Sequence, residues 1–208
     1  PKPACKIIGE AWAQMTEGDG NFRMFSFLES QGAEVTVEPV MNWVNYLMHS
    51  TRCRIAEQKR VWERMPSAAR ELSSRVGGIL RHQKDLLLIG LAGKLVNREF
   101  ERLRRALGGL GHPLADQATL QRLAEPFYNH KISGGEGHLE VGKTIYYSVN
   151  KLAHLVVSLK PFGCMPSTQS DGTQAAVMAR YPDVFFIPIE TSGEGDINAY
   201  SRVQMGLG

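Results

Sequence analysis

Cys164 has the most chemically informative surroundings of any residue in this chain. It lies in a run rich in proline and glycine, Lys160–Pro166, which follows a short apolar segment at His154–Leu159. The apolar segment predicts a buried strand, so we expect Cys164 in a rigid loop at a strand's carboxyl end. A thiolate there could bind soft iron or act as a nucleophile. Alternatively, Cys164 is a small apolar residue packed in the interior, as free cysteines commonly are.

The other two cysteines point to no further site. Cys5 and Cys53 are far apart in the chain, and the total of three cysteines is odd. This excludes a disulfide framework or a paired-cysteine metal finger and is typical of a reducing compartment, so we expect a cytoplasmic protein. Because an iron-sulfur cluster usually takes four ligands, Cys164 could not hold one without ligands from elsewhere.

Two segments rich in glycine and glutamate each have two possible roles. Ser133–Gly137 precedes a predicted helix at His138–Lys151, and its glycines could let backbone amides approach a phosphate. Glu136 would repel a phosphate, which favours a simple helix-entry turn. Glu190–Asp196 could supply a carboxylate or hydroxyl to a site, or it could cap the last helix.

These segments belong to an alternation of strands and helices. We predict strands at 6–12, 33–38, 154–159 and 184–189, and helices at 21–30, 116–124, 138–151, 168–180 and after 196. The fold class we expect is α/β, a Rossmann-like or flavodoxin-like parallel sheet of about four strands. Ligands bind such sheets beyond the carboxyl ends of the strands. The crevice candidates there are Glu10, Gly163, Met165, Pro166, Glu190, Thr191 and Ser192.

Residues 41–111 predict a basic helical insertion after the second strand, with breaks at Pro66 and at Gly77-Gly78. Residues 48–111 hold 14 basic and 6 acidic side chains, whereas the whole chain has a net charge of only +3. Such a surface could bind an acidic partner, a CoA phosphate or nucleic acid, or could simply be solvated. The chain shows no nucleic-acid-binding motif, which argues against that partner.

The composition of the whole chain is that of a water-soluble globular protein, with 43% hydrophobic and 22% charged residues. The longest apolar runs, 86–91 and 152–159, are too short to span a bilayer, so we expect no membrane association. We expect residues 1–208 to form a single α/β domain, part of a larger protein, that carries the insertion.

Several short sequence motifs of the chain resemble those of a known protein family. They are Ile8-Gly-Glu-Ala, Leu28-Glu-Ser-Gln-Gly-Ala-Glu-Val35, Gly134-Gly-Glu-Gly, Leu159-Lys-Pro-Phe-Gly-Cys-Met-Pro166, and Ile187-Pro-Ile-Glu-Thr-Ser-Gly-Glu-Gly195 with Ser201-Arg-Val-Gln. Through them the chain resembles the 2-hydroxyacyl-CoA dehydratase D-component family nearly end to end. The likeness is greatest to the C-terminal portion of large proteins in which this region is fused to a CoA-enzyme activase.

The resemblance implies a 4Fe-4S or related iron-sulfur cluster as cofactor in the complete protein. Cys164 corresponds to the last of the family's cluster cysteines, and the other ligands would lie in an N-terminal half before Pro1. Cys5 and Cys53 match no ligand position. The implied partners are that half, an actin-like ATPase activase that delivers one electron at low potential, and an acyl-CoA. The implied activity is radical dehydration or cluster-dependent reduction, and we expect the isolated fragment to be inactive.

The acidic string at 190–195 departs from that of dehydratase subunits, which favours a cluster-bearing reductase or electron-transfer partner. Two other hypotheses stay open. One is a non-catalytic docking domain whose basic helices bind the activase or a CoA-bearing partner. The other is a flavodoxin-like module that binds a small molecule or nucleotide in the crevice near Cys164.

Overall fold

A computed structural model describes residues 2–64, 72–109, 113–132, 135–193 and 195–208. The chain divides into two compact units. The first comprises Pro1–Val40 and Ala115–Gly208, and the second is Met41–Leu114.

The first unit is built on a parallel sheet of four strands. The strands are β1 (Ala4–Gly9), β2 (Glu34–Thr36), β3 (Leu155–Pro161) and β4 (Phe186–Thr191), in the order β2-β1-β3-β4. All three neighbouring pairs are parallel, with Ile7 beside Val157 and Val157 beside Ile187. β1 and β3 lie in the middle of the sheet and are mostly apolar, as is typical of strands covered on both faces; the exceptions are Lys6, Ser158 and Lys160. The predicted α/β fold class is therefore confirmed.

Helices cover both faces of this sheet. They are α1 (Ala11–Met15), a 3-10 helix (Asp19–Asn21), α2 (Met24–Ser30), α5 (Gln117–Ala124), α6 (Gly137–Val149), α7 (Met165–Arg180) and α8 (Ile197–Leu207). Alternate strand residues enter two apolar cores. Ile7 and Val157 pack with Leu28 of α2 and Val203 of α8 on one face. The other face carries Ile8 and Val156, which pack with side chains of α5, α6 and α7.

Two predicted elements near the N-terminus have different bounds. The strand predicted at 6–12 ends at Gly9, whose φ of 113° turns the chain into α1, so that Trp12 is helical. The helix predicted at 21–30 begins only at Met24, because Phe22 and Arg23 adopt left-handed backbone angles. The side chain of Asn21 donates to the carbonyl oxygens of Ala13 and Thr16, which fixes the turn between α1 and α2.

The second unit contains two long helices that follow β2, as predicted. They are α3 (Val40–Arg64) and α4 (Leu72–Ala106). The Nδ2 atom of Asn45 on α3 donates to Oδ1 of Asn97 on α4 at 2.8 Å. The predicted break at Gly77-Gly78 is wrong, because α4 continues through both residues; Pro66 lies outside the described residues. Two helix-interior glycines cost about 2 kcal/mol relative to alanine, which the rest of a long helix can offset.

In the part of the chain that the structure describes, no helix is long and apolar enough to cross a membrane.

Candidate functional site

Cys164 lies at the start of α7, directly after the central strand β3. It is the N-cap residue of α7, with its side chain partly exposed. The backbone nitrogen of Cys164 donates to the carbonyl oxygen of Pro161 at 3.2 Å, and its own carbonyl accepts from Thr168. The loop predicted at 160–166 is shorter than expected, since β3 extends to Pro161 and α7 begins at Met165. Only residues 162–164 connect them, so Cys164 is fixed at the carboxyl edge of the sheet.

The three residues next to Cys164, Gly163, Met165 and Pro166, have different structural roles. Gly163 adopts a φ of 73°, which allows the tight turn into α7. Met165 is exposed at the first position of that helix. Pro166 faces inward: a Cβ at Gly135 would lie 2.4 Å from its Cγ atom, and one at Gly137 would lie 2.8 Å from its carbonyl oxygen. Pro166 therefore forms part of the packing that supports the site.

The glycines before α6 have a packing role that the sequence did not show. Ser133 and Gly134, two of the five residues of the segment Ser133–Gly137, lie outside the described residues. Gly135 and Gly137 allow the chain to approach Pro166 closely, and the side chain of Glu136 makes no capping hydrogen bond to α6. Close packing against the start of α7 therefore explains these two glycines without a phosphate.

Glu10 follows the neighbouring strand β1 and belongs to the same sheet edge. Its backbone nitrogen donates to the carbonyl oxygen of Leu159 at 2.9 Å, which joins the ends of β1 and β3. Its carboxylate accepts from the backbone nitrogen of Ala13 at 3.0 Å and so caps α1. The carboxylate of Glu10 is thus used within the fold.

Three candidates lie at the carboxyl end of β4: Glu190 and Thr191 belong to the strand, and Ser192 follows it. Glu190 pairs with Lys160 across the β3–β4 ladder, and Thr191 is the last residue of β4. The hydroxyl of Thr191 donates to the carbonyl oxygen of Lys160 at 3.2 Å. Glu190 and Ser192 line a cavity of about 280 Å³. The other residues that line it are Lys160, Asp171, Pro188, Ile189, Gly195, Asn198, Ala199 and Arg202.

A buried ion pair that sequence reasoning missed forms one wall of this cavity. The side chain of Lys160 is only 1% exposed and pairs with the carboxylate of Asp171 on α7. Burial lowers the pKa of Lys160, and the negative charges of Glu140 and Glu190 oppose this change. Cys164 also interacts electrostatically with Lys160. A cationic amine in a nearly water-free position therefore lies near the only cysteine at this edge among the described residues.

A second buried carboxylate lies behind Lys160. Glu140 of α6 accepts hydrogen bonds from the hydroxyls of Ser167 and Ser170, at 2.7 and 2.5 Å. Burial raises the pKa of Glu140, although the two hydroxyls and the ammonium groups of Lys160 and Lys143 hold the rise back. These bonds join α6 to the first turns of α7 and so fix the helix that carries Cys164.

A second cluster of buried charges joins β1 to α6. The carboxylate of Glu38 pairs with Lys6 of β1, and its other oxygen lies 3.1 Å from the Nζ atom of Lys143. The Lys6 ammonium also lies 4.6 Å from the centre of the Tyr147 ring. Burial lowers the pKa of Lys6, while Glu38 opposes the change. The face of the sheet under α6 thus carries paired charges from Lys6 to Lys160.

The described residues fit an iron-sulfur cluster only in part. Cys5 is fully buried inside β1, and Cys53 belongs to α3 in the second unit. Within the described ranges, no group of three or more histidine, cysteine or acidic side chains could hold a metal ion. This part of the chain therefore offers a cluster one thiol, that of Cys164, and the other ligands would have to come from elsewhere.

Comparisons with known proteins add no relative: no family model, no curated protein and no solved structure matches the chain.

Proposed function

We propose that this chain contributes Cys164 as one ligand of an iron-sulfur cluster in a protein like the 2-hydroxyacyl-CoA dehydratases. The remaining ligands come from residues outside those described. In the complete protein the cluster supplies an electron at low potential, for ATP-driven electron transfer or radical dehydration. The proposed partners are a cluster-bearing N-terminal half, an actin-like ATPase activase and an acyl-CoA.

The observation that carries the proposal is the position of Cys164. Cys164 is at the N-cap position of α7, beside the carboxyl end of a central strand, and its thiol makes no capping hydrogen bond. Because the residue is partly exposed and lies on a three-residue connection, its sulfur can reach a group placed outside the sheet. Cys5, which is fully buried, cannot do so. Exposure therefore favours Cys164 over Cys5, and Cys164 is also the cysteine that the resemblance assigns.

The chain's own residues would bind and orient a polar substrate in the cavity that Lys160 lines. The cavity next to Lys160 combines the guanidinium of Arg202 with the hydroxyl of Ser192 and the amide of Asn198. These groups can donate hydrogen bonds to carbonyl or carboxylate oxygens. Because Lys160 is already paired with Asp171, we assign the contact with substrate to Arg202, Ser192 and Asn198.

Anaerobic cluster reconstitution of the natural full-length protein tests the proposal. Cys164→Ala should lower the bound iron and sulfide and weaken or abolish the visible absorption of the cluster, because one of its ligands is lost. Cys53→Ala is the matched control, since it removes a partly exposed cysteine from the helical unit. It should bind as much iron as the unaltered protein.

Two outcomes would refute the assignment. Cys164→Ala could leave iron content and absorption unchanged, or both substitutions could lower them equally. In either case Cys164 would not be a specific cluster ligand.

A further inference from the structure

The second unit exposes a row of leucines along α4. Leu87, Leu88, Leu91 and Leu95 are 63%, 52%, 55% and 61% exposed. Residues 88, 91 and 95 follow the three-and-four spacing that places side chains on one face of a helix. Single exposed leucines are common on protein surfaces, but four adjacent leucines on one face form a continuous apolar patch.

This row lies on the side of α4 that faces away from α3. The contacts with α3 include Asn97, which bonds to Asn45, and Gly93, at which a Cβ would lie 3.7 Å from the sulfur of Met48. Each residue advances about 100° around a helix, so Leu91 and Leu95 are roughly 200° from Gly93 and Asn97. The leucine row therefore remains uncovered by the partner helix of its own unit.

The surface that continues and flanks the row is basic. Between Arg81 and Arg105, α4 carries seven basic and three acidic residues. Glu99 pairs with Arg102 and Glu101 with Arg104, so five basic residues and Asp85 lie outside these two pairs. Arg98 extends the heptad spacing of the row and has no ion-pair partner among the described residues.

We propose that this leucine and arginine face of α4, Leu87–Arg98, is a docking site for an acidic amphipathic helix of a partner protein. Leucines at heptad spacing match the apolar side of such a helix, and glutamates beside them would pair with Lys94 and Arg98. The charge of the face selects this occupant: a second copy of the chain would bring an equally basic face and would be repelled.

A membrane surface fits the face less well. The only aromatic residue of α4 is Phe100, which is partly buried, whereas helices that lie in a lipid interface typically present aromatic side chains to it. The inference goes beyond the cluster proposal and does not depend on Cys164.

A designed peptide can test the site on the 208-residue protein. The probe is a labelled 28-residue acidic peptide with leucine at two positions of each heptad and glutamate at the flanking positions. Fluorescence anisotropy should show saturable binding that weakens as salt is raised. Leu91→Glu with Leu95→Glu, and separately Arg98→Glu, should each weaken binding by about tenfold or more. Both variants change exposed positions, and circular dichroism checks that the helices persist.

The matched controls change one property at a time. Leu47→Ala removes an exposed leucine of α3 and should leave the affinity unchanged. A peptide in which every glutamate is replaced by lysine should not bind. Equal binding of the two peptides, binding that ignores the leucine substitutions, or no binding would overturn the proposal. So would binding only to phosphatidylglycerol vesicles, or dimerisation of the chain that Leu91→Glu abolishes.

Discussion

We predict that removing Asp171 from its ion pair with Lys160 destabilises the protein more than removing Lys160 does. The side chain of Lys160 is 1% exposed, whereas that of Asp171 is 22% exposed. Asp171→Ala leaves an ammonium buried without its partner, a change that usually costs about 3–5 kcal/mol. Glu140 and Glu190 still act on that ammonium, so we expect a smaller cost of about 2–3 kcal/mol.

Lys160→Met should cost less, although it breaks the same pair. Methionine fills the volume of the lysine stem without a charge, and the remaining carboxylate of Asp171 can reach water. We expect a loss of about 1 kcal/mol. Hydrogen exchange of the β3 and α7 backbone amides, read by mass spectrometry, reports the stability of this unit alone. Asp183→Ala, which changes an exposed acid, is the control.

The ordering of the two variants is the test. If Lys160→Met destabilises β3 as much as Asp171→Ala does, or more, the cost does not come from a stranded buried charge. The assignment of Lys160 as a permanently paired wall of the cavity would then be wrong.

Three further predictions concern single residues of the first unit. Gly172→Ala in α7, where a Cβ would meet nothing within 4 Å, should stabilise the protein by about 0.5–1 kcal/mol, whereas Gly142→Ala in α6 should destabilise it by about 1–3 kcal/mol in urea unfolding. A Cβ at Gly142 would lie 2.6 Å from a backbone oxygen, and equal effects would contradict the packing of α6 on α5. Burial raises the pKa of Glu140, so its contribution to stability is fully present below the ordinary value of 4.5 and is lost as pH rises through the folded value. Unfolding from pH 4 to 8 should therefore show Glu140→Gln gaining stability relative to the unaltered protein as pH rises, and a constant difference would refute this. Burial raises the pKa of the Cys5 thiol to about 12, so native protein at pH 8 should alkylate Cys164 but not Cys5, and equal rates would contradict the burial of β1.

The strands and most helices could be predicted because their signals are local. Short apolar runs such as Leu155–Leu159 mark strands directly, and consecutive glycines such as Gly108 and Gly109 mark the end of a helix. The ends of strands and helices cannot be predicted from local sequence where a tertiary contact decides them. The strand at β1 ends early because the chain turns at Gly9, where a Cβ would lie 2.0 Å from the carbonyl oxygen of Leu159, a contact invisible in sequence.

The sequence carries a signal for the buried charge of Lys160. The loop predicted at 160–166 begins with Lys160, yet this residue lies two residues after Ser158 and four after Val156, on the strand face that α6 and α7 cover. A lysine at such a position requires a buried acid. Which acid it meets could not be read from the chain, since Asp171 reaches it only once α7 packs on the sheet.

The claim that Cys164 binds the cluster can be tested directly by alkylation of the reconstituted full-length protein. With the cluster present, iodoacetamide should leave Cys164 unmodified because its sulfur is bound to iron, and a chelator that removes the iron should make it reactive. Cys53 should react to the same extent before and after chelation. Modification of Cys164 at an equal rate in both states would show that its sulfur is not a ligand.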